Sequence, residues 1–187
     1  MFKLDKMQVS MVYLEPKKRG DDGVNPSLYL ETTIPSYLAA HPSNNLIIAG
    51  RQAVTREFYE LERHKYDLYV SEYVYEECRR GDPAAAKRRL EWLEGITVLE
   101  ETPDVEPLAD TYMRLLSIPQ RCRVDALHLA LCCVHGINIL LSWNCKHLGV
   151  DSMQIVQKHN DIRGLLTPKM VTPDSLVGGY KEVDFNE

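Results

Sequence analysis

The chain has 187 residues, of which 44% are hydrophobic and 26% charged, and its net charge is −5. That length can bury one substantial core but is short for two domains. No apolar run reaches the roughly 18–20 residues that cross a bilayer and no signal-peptide pattern opens the chain, while the acidic balance speaks against a protein that coats nucleic acid by bulk charge.

A nuclease stays open, because a carboxylate site adds negative charge that bound divalent cations reverse locally. Five cysteines (Cys78, Cys122, Cys132, Cys133, Cys145) form no CxxC pair. They read as reduced thiols in a reducing compartment, so a soluble cytoplasmic protein is expected.

Residues 1–26 carry charge, Gly and Pro without a helical or strand period, and read as a flexible N-terminal extension. Leu28-Tyr29-Leu30 is a short apolar strand ending at Glu31, followed by Thr32 and Thr33 as hydroxyl caps and Pro35 in a first helical turn. After the turn-like His41–Asn45, the apolar positions Ile47, Val54, Phe58 and Leu61 predict an amphipathic helix from about Leu46 to His64. Asp67–Ser71 reads as a second strand, with a helix running on through Glu77. Gly81-Asp82-Pro83 breaks that helix and starts another, to about Leu93.

Gly95–Leu99 is a third strand, and a helix runs from the Pro103/Pro107 region to about Leu116. Arg123–His135 is a strongly apolar helix stopped by Gly136. Ile137–Ser142 gives a fourth strand and Lys169–Thr172 a fifth, and residues 179–187 read as a tail. Strands alternating with helices predict an α/β domain over residues 27–178: a mainly parallel, about five-stranded sheet in a three-layer α/β/α sandwich.

In such sheets, ligands collect at the carboxyl ends of the strands. Four polar residues sit at plausible places: Glu31 after the first strand, Glu77 six residues past the strand-end Ser71, Asp125 opening the apolar helix, and Asn144 after the fourth strand. Oxygen donors of this kind suit Mg²⁺ or Mn²⁺, and a cation relieves the repulsion of gathered carboxylates. Each also has a plainer reading, as a first-turn acid, an exposed helix charge or a turn residue. His128, inside an apolar helix, reads as a packed, hydrogen-bonded histidine. Cys132, His135, Cys145 and His147 show no recognised zinc spacing, and no Gly-rich phosphate loop occurs.

Five stretches in order resemble the PIN-domain family, including the VapC-type toxin ribonucleases of toxin–antitoxin pairs. They are Tyr29-Leu-Glu-Thr-Thr33, Val70-Ser-Glu-Tyr-Val-Tyr-Glu-Glu77, Asp125-Ala-Leu-His-Leu-Ala130, Leu140-Leu-Ser-Trp-Asn144 and Met170-Val-Thr-Pro-Asp174. Two departures stand out: Glu31 replaces the usual first Asp, and Asn144 replaces the fourth acid, removing one negative charge.

The resemblance implies an endoribonuclease in which metal-activated water attacks an RNA phosphodiester. Glu31, Glu77 and Asp125 would hold Mg²⁺ or Mn²⁺, with Asn144 as the neutral fourth group and Thr33 and Ser142 orienting the carboxylates. Arg121, Arg123 and Lys146 are the expected phosphate contacts, and Arg79/Arg80 with Lys87/Arg88/Arg89 either extends that track or is a solvated helix face. The resemblance also implies a homodimer and an antitoxin partner. The alternative is a catalytically weak PIN-like module that binds RNA or protein.

Overall fold

The computed structural model describes residues 25–144 and 148–178. The expectations for residues 1–24 and 179–187, and for Cys145, Lys146 and His147, lie outside the described residues.

Five short apolar runs form the sheet: β1 (Ser27–Leu30), β2 (Asp67–Ser71), β3 (Thr97–Leu99), β4 (Ile139–Leu141) and β5 (Lys169–Val171). They lie in the order β3-β2-β1-β4-β5, and every neighbouring pair is parallel. β1 is buried along its whole length, as a central strand covered on both faces must be.

The helices follow from the connections. α1 (Thr33–Ala39), α2 (Leu46–Glu57), α3 (Glu72–Cys78) and α4 (Pro83–Glu91) lie between β1 and β3, where the chain steps one way across the sheet. α5 (Val105–Leu115), α6 (Arg123–Val134) and α7 (Val150–Asp161) lie between β3 and β5, where it steps the other way. Right-handed crossovers in opposite directions place the two groups on opposite faces. The packing agrees: α1 contacts α2 and α4, and α3 contacts α4, while α5 contacts α6 and α7.

Local chemistry sets the helix ends. Asn45 caps α2 through bonds from the Ile47 and Ile48 N–H groups, and Asp82 caps α4 with Pro83 in the first turn. α6 closes on Gly136 at φ +64°, with the N–H groups of Gly136 and Ile137 returned to the carbonyls of Cys133 and Cys132.

Two expectations are corrected, and one element is added. The helix expected over Leu46–His64 stays α-helical only to Glu57, then widens to a π-turn over Phe58–Glu62 and tightens to a 3₁₀ turn over Arg63–Lys65. Of its expected apolar face only Phe58 is buried, while Ile47 is 71% and Leu61 59% exposed. The inward face of α2 is instead polar, Gln52 and Thr55, because these residues bond the His41 carbonyl, the Ser43 N–H and the indole of Trp143.

Thr32, at the cap position of α1, makes no side-chain cap bond. Its hydroxyl goes elsewhere, as shown below.

The added element is α7, over a stretch to which the sequence reading assigned no element. Val150 and Ile155 face outward, and the helix is anchored by buried Asn160, which accepts from the Tyr112 hydroxyl at 2.7 Å and donates to Thr167 Oγ1 at 2.9 Å.

Candidate functional site

The strand order reverses between β1 and β4, and at such a switch point the carboxyl ends of two adjacent strands open a crevice. Glu31 follows β1, and Ser142, Trp143 and Asn144 follow β4, so sheet pairing brings together residues far apart in the chain.

Glu31 is only 8% exposed. Its Oε2 accepts three hydrogen bonds: from the Thr33 N–H at 3.0 Å, from Thr33 Oγ1 at 2.5 Å and from Ser142 Oγ at 2.7 Å. The same two hydroxyls hold the loop after β4. Ser142 Oγ accepts the Asn144 N–H at 2.8 Å, and Thr33 Oγ1 accepts the Trp143 N–H at 2.9 Å. One set of hydroxyls thus fixes both the carboxylate and the neighbouring loop.

Glu77 lies in the last turn of α3, half-buried, while Glu76 beside it is exposed. Its Oε2 accepts from Thr32 Oγ1 at 2.6 Å and faces His128 Nε2 at 3.2 Å. Burial alone would raise its pKa. The bonds from His128 and Thr32 and the nearby positive charge outweigh that, and hold the carboxyl below the usual glutamate range.

Asp125 stands in the first turn of α6, and its Oδ1 accepts the Asn144 side-chain N–H at 3.1 Å. A small cavity is lined by Glu31, Asp125, His128, Ser142 and Asn144, with Leu140, Leu148 and Met170 closing its apolar side.

His128 is packed and hydrogen-bonded, 1% exposed, between Tyr29 and Glu77. Glu31, Glu77 and His128 each offer a ligand atom, all within 4.8 Å of one another, and could hold a metal ion. Asp125 falls outside that closest group but shares the cavity with Glu31. In the bonds just described both glutamates are anchored through Oε2 alone, so each Oε1 is the atom that could ligate a metal ion. Paired carboxylates with a neutral amide beside them fit a hard divalent cation.

The expected phosphate contacts divide. Arg121 is exposed in the 3₁₀ turn Gln120–Cys122 that leads into α6. Arg123 already pairs with Asp110 at 3.0 Å and Glu106 at 3.5 Å. The second basic cluster is largely structural: Arg79 pairs with Glu72, Arg88 bonds the Ala39 carbonyl, and Arg89 bonds the carbonyls of Cys78 and Arg80.

Sequence reasoning gave Thr32 a helix cap and did not find its bond to Glu77. Nor did it find the group around Trp143, where the indole N–H donates to Thr55 Oγ1 at 2.8 Å and Arg51 stacks 5.1 Å from the ring centre. His128 did carry a signal, since it lies three residues after Asp125 on the same helix face.

No protein-family model matches the sequence, and no curated protein aligns with it significantly. Solved structures do match. One is VapC20 of Mycobacterium tuberculosis, a sarcin-ricin loop cleaving toxin, with a TM-score of 0.51 at 18% identity, covering 65% of this chain and 92% of that one. Another is VapBC2 of Rickettsia felis, bound to a DNA fragment from its promoter, with a TM-score of 0.50 at 12% identity, covering 78% of this chain and 97% of that one. With its five parallel strands, its flanking helices and these likenesses, the chain has a VapC-like PIN-domain fold.

Proposed function

We propose that this protein is a divalent-metal-dependent endoribonuclease, acting as the toxin of a toxin–antitoxin pair. What supports the reading is that Glu31 lies in one close group with Glu77 and His128, their ligand atoms within 4.8 Å of one another, and shares a small cavity with Asp125 and Asn144. The likeness to a sarcin-ricin loop cleaving toxin supports RNA as the substrate class.

In this reading Glu31, Glu77 and Asp125 hold Mg²⁺ or Mn²⁺, with Asn144 as the neutral fourth group. A bound divalent ion supplies a water-derived nucleophile near neutral pH and stabilises charge developing on a scissile phosphate. The protein's part is positioning. Thr33 and Ser142 fix Glu31, Thr32 and His128 fix Glu77, and Asn144 fixes Asp125. Arg121 is an exposed cation for a substrate phosphate, while Arg123 is shared with Glu106 and Asp110.

The test is cleavage of RNA with Mg²⁺ or Mn²⁺ by the wild type, Asp125→Asn and Glu77→Gln. Activity lost in both variants supports the reading, and a wild type that neither cleaves RNA nor binds a divalent ion ends it. The toxin role is tested by growth arrest on expression and its rescue by a small protein encoded beside this one. A second reading, a catalytically weak module that binds RNA or protein, is favoured by Asn144, a neutral side chain hydrogen-bonded to Asp125. It predicts RNA binding without cleavage.

A further inference from the structure

We propose that His128 is a positioning residue that aims the Glu77 carboxylate through a buried hydrogen-bond string, Ser71–Tyr29–His128–Glu77. The proposal rests on the metal-site reading given above.

The string is continuous. Ser71 Oγ lies 2.6 Å from the Tyr29 hydroxyl, which lies 2.7 Å from His128 Nδ1, and His128 Nε2 lies 3.2 Å from Glu77 Oε2. Thr32 Oγ1 meets the same Oε2 at 2.6 Å from the opposite element. Ser71, Tyr29 and His128 are each 1% exposed or less, so water does not compete for their bonds.

The chemistry of the end groups sets the direction of the string. An ionised carboxylate only accepts, so His128 Nε2 carries the hydrogen that points at Glu77. In the neutral ring Nδ1 then accepts the Tyr29 hydroxyl hydrogen, and the Tyr29 oxygen accepts from Ser71. Ser71 occupies the cap position of α3 but makes no side-chain cap bond, its hydroxyl being turned to Tyr29 instead.

An imidazole among the apolar residues of α6 is costly to bury unless both nitrogens are satisfied. Both are. Taking Nε2 as a metal ligand would move its proton and break the bond to Glu77, whereas leaving it as a donor holds Glu77 Oε2 and keeps Oε1 for an ion. The string joins β1, β2, α3 and α6, and Thr32 ties its end to the start of α1.

The experiment is Mn²⁺ titration followed by electron paramagnetic resonance, which reads metal affinity without reference to RNA cleavage. His128→Leu keeps an apolar side chain in the space but has no N–H, His128→Gln restores an amide donor, and Tyr29→Phe removes the group that fixes the ring. His128→Leu should weaken Mn²⁺ affinity by about 10–100-fold, the range found for groups that orient metal ligands. His128→Gln should recover part of that loss, and Tyr29→Phe should show a smaller loss in the same direction. Thermal denaturation checks that each variant folds.

Pulsed spectra of the wild type with Mn²⁺ should show no imidazole ¹⁴N coupling. Such a coupling, present in the wild type and absent in His128→Leu, would make His128 a ligand and overturn the proposal. Unchanged affinity in a folded His128→Leu would overturn it while leaving the metal site standing. A wild type that binds no Mn²⁺ would overturn both.

Discussion

The Asn144 side-chain amide donates to the Asp125 carboxylate at 3.1 Å, so the neutral corner of the site is bonded to one of its acids. Asn144→Asp replaces that donor with a second acceptor and sets two carboxylates against each other. Without metal the variant should lose about 1–3 kcal/mol, the cost of a broken, partly buried polar contact, and one carboxyl should titrate at a raised pKa. Added Mn²⁺ should return much of the loss. The gap in Tm between metal-free and metal-loaded protein should therefore be wider in Asn144→Asp than in the wild type, and equal gaps would place the ion away from this corner.

The neighbours Glu76 and Glu77 allow an internal control. Glu77 is hydrogen-bonded at the site and Glu76 is exposed. RNA cleavage at saturating Mn²⁺ should fall by roughly 100-fold or more in Glu77→Gln and Glu31→Gln, at or beyond the upper range for groups that only orient ligands. Glu76→Gln should stay within about twofold, since an exposed surface change has little effect. Equal losses in Glu76→Gln and Glu77→Gln would count against the assignment.

Ser142 serves two neighbours at once, donating to Glu31 Oε2 at 2.7 Å and accepting the Asn144 N–H at 2.8 Å. Ser142→Ala leaves a buried carboxylate and a backbone N–H each short of a partner. The expected cost is about 1–3 kcal/mol in urea denaturation of the metal-free protein. A change within 0.5 kcal/mol, the size expected of a neutral surface substitution, would mean that water replaces the hydroxyl.

The fold was legible because its strands are short, largely apolar runs, the central one buried on both faces, and because Gly136 and the Asp82-Pro83 pair mark helix ends by local chemistry. Glu77 was separable from Glu76 by its offset from Ser71, which decides the face of a short helix. What sequence could not give were bonds between distant residues: Thr32 with Glu77, Tyr29 with His128, Trp143 with Thr55. No period or spacing encodes them, since strand order brings them together. α7 stayed hidden because its buried face is small, Val156 with the polar Asn160, while Val150 and Ile155 face outward.

The cysteines should differ in reactivity. Burial raises the Cys78 thiol to about 12 and the Cys133 thiol to about 11, and Cys132 is raised well above its ordinary value, whereas Cys122 is half-exposed. At mildly alkaline pH the three buried thiols lack both access and thiolate. Brief alkylation of native protein followed by peptide mass mapping should label Cys122 first among these four, with Cys78, Cys132 and Cys133 labelled only after denaturation. Early labelling of Cys132 or Cys133 would mean that α6 opens readily.

Glu77 should also leave a mark on acid stability. Burial raises its pKa, but the bonds from His128 and Thr32 outweigh burial, and the folded value lies below the ordinary one. A depressed folded pKa means that the unfolded chain binds the proton more readily. The stabilisation is therefore present above the unfolded pKa and is lost as pH falls through the folded value. In chelator-treated protein, urea denaturation from neutral pH down to about pH 3 should show a steeper acid loss in the wild type than in Glu77→Gln. Thr32→Val removes the hydroxyl donor but leaves His128, so its acid loss should fall between the two. If all three lose stability at the same rate, the carboxylate is not held ionised by these bonds, and the anchoring of Glu77 through Oε2 is wrong.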